Sequence, residues 1–120
     1  MTILVDTSVW IDHLRRSSSR LAGLLEDALV VVHPFVVGEL ACGTLANRAQ
    51  VIDRLGRLES SAVVAHEEAL HLVEVNHLWG SGLGWVDVHL LGSCLLGDHD
   101  LWTLDRRLVE AAAICGVELV

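Results

Sequence analysis

At 120 residues the chain is long enough to enclose a core and too short for two domains, so residues 1–120 are read as a single domain. A hydrophobic fraction of 52% and a mean hydropathy of +0.51 predict apolar surface covered by a partner or a second copy. A net charge of −8 argues against simple nucleic-acid binding through a basic surface, although all eight basic residues are Arg, the better phosphate reader.

The predicted elements alternate strand and helix. Thr2–Val5 is a β-branched run ending at Asp6, and Thr7–Leu14 reads as a helix. Serines 17–19 make a turn and offer an N-cap to a helix over Arg20–Ala28. Leu29–Val32 is continuously apolar, as in a strand buried on both faces. Pro34 opens a helix to about Leu45, followed by another over Ala49–Leu58. Ser61–Val64 is the third strand and His66–Trp79 a long helix. Gly80, Gly82 and Gly84 form a flexible flap before the helix Trp85–Leu96. Leu101–Leu104, Arg106–Cys115 and Val117–Leu119 complete the pattern as strand, helix and fifth strand.

Strands separated by helices of this length imply a three-layer α/β domain, with a central parallel sheet of about five strands and helices on both faces. In the order 3-2-1-4-5, strands 1 and 4 are neighbours at the point where strand order reverses, and such sheets bind ligands beyond the carboxyl ends there. Asp6 ends strand 1 and Asp105 follows strand 4, so the two carboxylates face each other across that point.

Two further acids sit where acids are unexpected. Glu39 lies in the apolar stretch VVGELACG, and Asp87 is the only acid of WVDVHLLGSCLL. Unpaired buried carboxylates are costly, and a hard divalent cation, Mg²⁺ or Mn²⁺, neutralises several at once. Ser8 and Thr103, each two residues from an acid, are candidate supports for the set. Carboxylate-held metal suits phosphodiester hydrolysis by activated water. Replacing Asp6 by Asn is expected to abolish such chemistry while sparing or strengthening the fold, by relieving like-charge repulsion. Arg15, Arg16, Arg20 and Arg107 are candidate contacts for the phosphates of such a substrate. The histidines show no zinc-protease spacing, and the four tryptophans are read first as packing residues, with Trp79 and Trp85 suspected of meeting a partner. Cysteines 42, 94 and 115 are odd in number without CxxC spacing, and the N-terminus lacks signal-peptide features, so a cytoplasmic location is expected.

The segments VDTSVWIDHLR, VVGELACG, WVDVHLLGSCLL and LWTLDRRL, in this order across almost the whole chain, resemble a PIN-domain ribonuclease of the VapC type, the toxin half of a bacterial toxin–antitoxin pair. The resemblance implies that Asp6, Glu39, Asp87 and Asp105 are the catalytic, metal-binding acids, with Ser8 supporting the first. It also implies Mg²⁺- or Mn²⁺-dependent cleavage of structured RNA such as tRNA or rRNA, a homodimer, and silencing by a VapB-type antitoxin. Where some relatives carry an acid or Asn two residues after the fourth acid, this chain has Arg107. A phosphoacceptor receiver domain needs a lysine, and the chain has none; a haloacid-dehalogenase-type phosphatase needs DxD after strand 1, where position 8 is Ser. A catalytically silent PIN-like binding module is the remaining alternative.

Overall fold

The computed structural model describes residues 1–120. Its centre is β1 (Ile3–Val5), whose three side chains are all buried. It pairs in parallel with β2 (Val30–Val32) on one side and β4 (Asp100–Trp102) on the other. A two-residue β3 (Glu59–Ser60) pairs in parallel with β2, giving the order β3-β2-β1-β4. Seven helices flank the sheet: α1 (Thr7–Arg16), α2 (Ser19–Glu26), α3 (Pro34–Cys42), α4 (Arg48–Leu55), α5 (His66–Val75), α6 (Trp85–Gly97) and α7 (Arg106–Cys115). One contiguous core joins the apolar triplets of β1 and β2 to Leu21, Val36, Leu40, Leu90, Leu91, Leu101 and Leu108.

Three expectations need correction. The third strand is Glu59–Ser60 rather than Ser61–Val64. Its partner β2 ends at Val32, where His33 and Pro34 start a helix, so nothing remains for Ser61 onward to pair with beyond the bond from Ser61 N–H to the Val32 carbonyl. The apolar character of that stretch serves packing instead: Val64 lies so close to Gly92 of α6 that a Cβ there would meet Val64 Cγ2 at 3.0 Å. The expected fifth strand is reduced to a single parallel bridge, Leu101 to Leu119, on the side of β4 away from β1. Finally, α5 stops at Val75, because Asn76 caps it and His77 takes a positive φ of 52°. No helix is long and apolar enough to cross a membrane.

Local chemistry explains the helix starts at the carboxyl end of the sheet. Asp6 is the N-cap of α1, its Oδ1 accepting from Thr7 N–H at 2.7 Å. His33 caps α3, its Nδ1 accepting from Phe35 N–H at 2.9 Å, with Pro34 next in line. Asp105 caps α7, its Oδ1 accepting from Arg107 N–H at 2.9 Å. In α6, Gly84 is the N-cap and its N–H donates to Asp87 Oδ2 at 3.1 Å.

Candidate active site

Asp6 is the anchor. It is buried, at 6% exposure, and besides Thr7 N–H it accepts two hydroxyls on Oδ2, from Ser8 Oγ at 2.8 Å and Thr103 Oγ1 at 2.7 Å. Each hydroxyl that donates to Asp6 also accepts from the backbone after β4: Ser8 Oγ from Leu104 N–H at 3.0 Å, Thr103 Oγ1 from Asp105 N–H at 3.0 Å. The two hydroxyls therefore tie the β1 end to the segment that presents Asp105. Such bonds to an ionised acceptor are the strong kind.

Glu39 reaches the same place from α3, where its Oε1 accepts from Thr7 Oγ1 at 2.7 Å. It is exposed, because only Val36 and Leu40 of α3 face deep into the core. The burial expected for this acid is thus absent, although its position is as expected. Asp105 is exposed as well, and Asp87 is half-buried. Partial burial raises the Asp87 carboxyl above its ordinary range; the Gly84 hydrogen bond opposes this, and the charges of Asp6, Asp105 and Glu39 add to the rise. Four acids from four separate segments therefore share one electrostatic neighbourhood. None of the chain's three ion pairs, Arg16–Asp12, Arg57–Asp53 and Arg106–Glu110, neutralises any of them.

The donor set is all carboxylate oxygen, with neighbouring hydroxyls, and suits a hard divalent cation rather than zinc. No three His, Cys, Asp or Glu side chains stand close enough together to make a closed coordination set. Three of the four carboxylates are each held by a neighbour of their own, Glu39 by Thr7, Asp87 by Gly84 N–H and Asp105 by Arg107 N–H. The set fits a cation by chemistry and sign.

The expected arginines divide. Arg15 lines a groove of about 420 Å³ beside Glu39, together with Asn47, Gln50 and Arg54. Arg16 is engaged with Asp12 one turn earlier, with Nε to Oδ1 at 3.0 Å. Arg20 lies over the Trp102 ring, 4.9 Å from its centroid. Arg107 crosses the glycine loop, where a Cβ on Gly82 would meet its Nε at 3.0 Å. In that loop Ser81 Oγ donates to the Leu78 carbonyl and Gly84 N–H to Asp87, and Arg107 lies against Gly82.

Sequence reasoning did not single out Thr7 or Arg54, and it read Gly82 and Gly84 as a flap rather than as neighbours of Arg107 and Asp87. Thr7 had a readable signal, since a hydroxyl directly follows Asp6. The others act through backbone geometry or a fold-dependent groove. His33 and His89 are buried and sit around Phe35, 4.9 Å and 4.8 Å from its ring centroid. Trp85 stands edge-on to His89 and is 40% exposed, while Trp79 is 58% exposed. Trp10 is buried in the core.

Residues 3–114 match the PIN domain family. The chain is 52% identical over 118 residues to Ribonuclease VapC32 of Mycobacterium tuberculosis (strain ATCC 25618 / H37Rv), covering 98% of this chain and 95% of that one. Among solved structures, PAE2754 from Pyrobaculum aerophilum superposes with a TM-score of 0.69 at 13% identity, covering 92% of this chain and 84% of the other. FitAcB from Neisseria gonorrhoeae superposes with a TM-score of 0.65 at 18% identity, covering 98% and 96%.

Proposed function

The chain belongs to the VapC-type PIN-domain family, and on that premise we propose that it is a divalent-metal-dependent endoribonuclease, the toxin of a toxin–antitoxin pair. The observation that carries the reading is the shared electrostatic neighbourhood of Asp6, Glu39, Asp87 and Asp105, beyond the carboxyl end of the sheet and without a basic counter-ion.

These four acids would hold Mg²⁺ or Mn²⁺, and a bound ion supplies a water of lowered pKa and relief of charge at the scissile phosphate. The chain's own residues do the positioning. Ser8 and Thr103 fix the Asp6 carboxylate and carry its placement to Asp105. The Thr7 hydroxyl orients Glu39, and Gly84 N–H orients Asp87. Arg15 and Arg54, at the groove beside Glu39, offer forked donors to the RNA backbone and offset the repulsion expected from a net charge of −8.

Two partners belong to this reading. A VapB-type antitoxin fits the apolar hollow of about 340 Å³ lined by Trp10, Leu14, Leu25, Leu55 and Leu58, which shares Leu14, Val51 and Arg54 with the groove beside Glu39. A helix seated there would lead its tail toward the acids. A second copy of the chain would cover apolar surface such as Leu70, Val75, Leu95 and Leu96, all at least 46% exposed.

The test is cleavage of cellular tRNA and rRNA by the purified chain with Mg²⁺ or Mn²⁺. Cleavage is expected, and is expected to vanish with EDTA and in Asp87→Asn. A folded chain that binds RNA and leaves it intact under all these conditions would be a binding module instead.

A further inference from the structure

Arg107 is the one arginine that joins two acid-bearing segments. Its backbone N–H donates to Asp105 Oδ1, while its side chain lies across Gly82, two residues before the Gly84 that holds Asp87. The approach is so close that a Cβ on Gly82 would stand 3.0 Å from Nε, 3.1 Å from Cζ and 3.2 Å from Cδ. Gly82 also has φ +82°, a conformation L side chains rarely adopt. Glycine is thus needed twice over, for the turn and for the flat seat that its bare backbone gives the guanidinium.

The head group so placed is unspent. Arg106 pairs with Glu110, Arg16 with Asp12 and Arg57 with Asp53, while Arg48 donates to the Ala41 carbonyl. The Arg107 guanidinium makes no hydrogen bond and no ion pair, although it is flanked by the segments of two carboxylates. A guanidinium carries five donors, suited to two oxygens of one phosphate. Arg15 and Arg54 lie beside Glu39, whereas the Arg107 head group lies against the loop that leads to Gly84 and Asp87.

We infer that Gly82 is a positioning residue that seats the Arg107 guanidinium to clamp an RNA backbone phosphate on the Asp87–Asp105 side of the site. The inference rests on the reading of the chain as a ribonuclease. It predicts that Gly82 and Arg107 act as one unit, and that their work is in binding substrate.

Steady-state RNA cleavage with Mg²⁺ tests it in five proteins: wild type, Arg107→Gln, Arg107→Lys, Gly82→Ala and the Arg107→Gln, Gly82→Ala double variant, each checked for folding by thermal melting. Both single variants are expected to raise KM about tenfold, the size of one lost charge-assisted contact, with kcat changed far less. The double variant is expected to show a KM no higher than Arg107→Gln, because Gly82 serves binding only through Arg107, while the strain of a side chain at its positive φ is read in the melts. Arg107→Lys should recover part of the loss, and Arg107→Gln should flatten the dependence of KM on salt by about one phosphate contact. A normal KM in Arg107→Gln overturns the clamp. Independent, additive losses in Gly82→Ala and Arg107→Gln overturn the seat. If wild type cuts no RNA, the ribonuclease reading itself fails and takes this inference with it.

Discussion

Asp6 accepts three hydrogen bonds and Asp87 one, so the isosteric amide has opposite consequences at the two positions. At Asp6 both oxygens accept, and Asn must turn an NH₂ toward one set of donors. Asp6→Asn is therefore expected to lower stability by about 1–3 kcal/mol, against the gain expected from relieved repulsion alone. At Asp87 the Gly84 N–H can be met by the amide oxygen, and the partly buried charge disappears. A carboxyl held above its ordinary pKa favours the fold while protonated, and that contribution is lost as pH rises through its raised value. Metal-free Asp87→Asn is thus expected to melt above wild type at neutral pH, with the difference closing in acid. Thermal melts in EDTA across pH check both outcomes, and a stabilised Asp6→Asn would refute the account of its three bonds. Asp6 and Asp105 were legible from their places after strands, and Glu39 and Asp87 as lone acids of apolar stretches, although Glu39 is exposed. Of their holders, Ser8 and Thr103 were legible from spacing, although spacing pairs Thr103 with its neighbour Asp105 and its hydroxyl donates to Asp6, 97 residues away. Gly84 contributes a backbone N–H that leaves no mark in composition.

Among the elements, those at the centre of the sheet announced themselves. Ile3–Val5 and Val30–Val32 are wholly apolar triplets because both faces are covered. Glu59–Ser60 could not be read in the same way, since both side chains of this edge strand are exposed. The helix α3 misled about Glu39 for a related reason: it is apolar nearly throughout, and its composition hides which strip faces inward. Its cap carries a prediction. His33 is fully buried, its pKa pushed down to about 4 by burial and by the charge of His89, from an ordinary value of 6.5. An imidazole held neutral in this way stabilises the fold above the ordinary value, and that stability is lost as pH falls from 6.5 toward 4, by on the order of 2–3 kcal/mol. His33→Asn keeps an acceptor for Phe35 N–H and removes the titration. Denaturant melts of this variant should be flatter than those of wild type across that range; an unchanged slope would assign the acid sensitivity elsewhere.

For the whole molecule, a hydrophobic fraction of 52% leaves Leu95, Leu96, Val75 and Ile114 between 46% and 61% exposed. Burying such side chains against a second copy is favourable at about 25 cal/mol per Å² of apolar surface. Sedimentation equilibrium at micromolar concentration is expected to give twice the 13.0 kDa chain mass. A single-chain mass would leave the apolar surplus to the proposed antitoxin alone. The arrangement of the sheet also sets a timetable. β1 is made first, yet its Asp6 is completed only by Thr103, and the fourth acid follows two residues later. A chain still being synthesised cannot own a finished site until that late segment has left the ribosome. On the toxin reading proposed above, translation thereby imposes a delay between the making of β1 and the first cut, an interval in which an already folded antitoxin would be waiting.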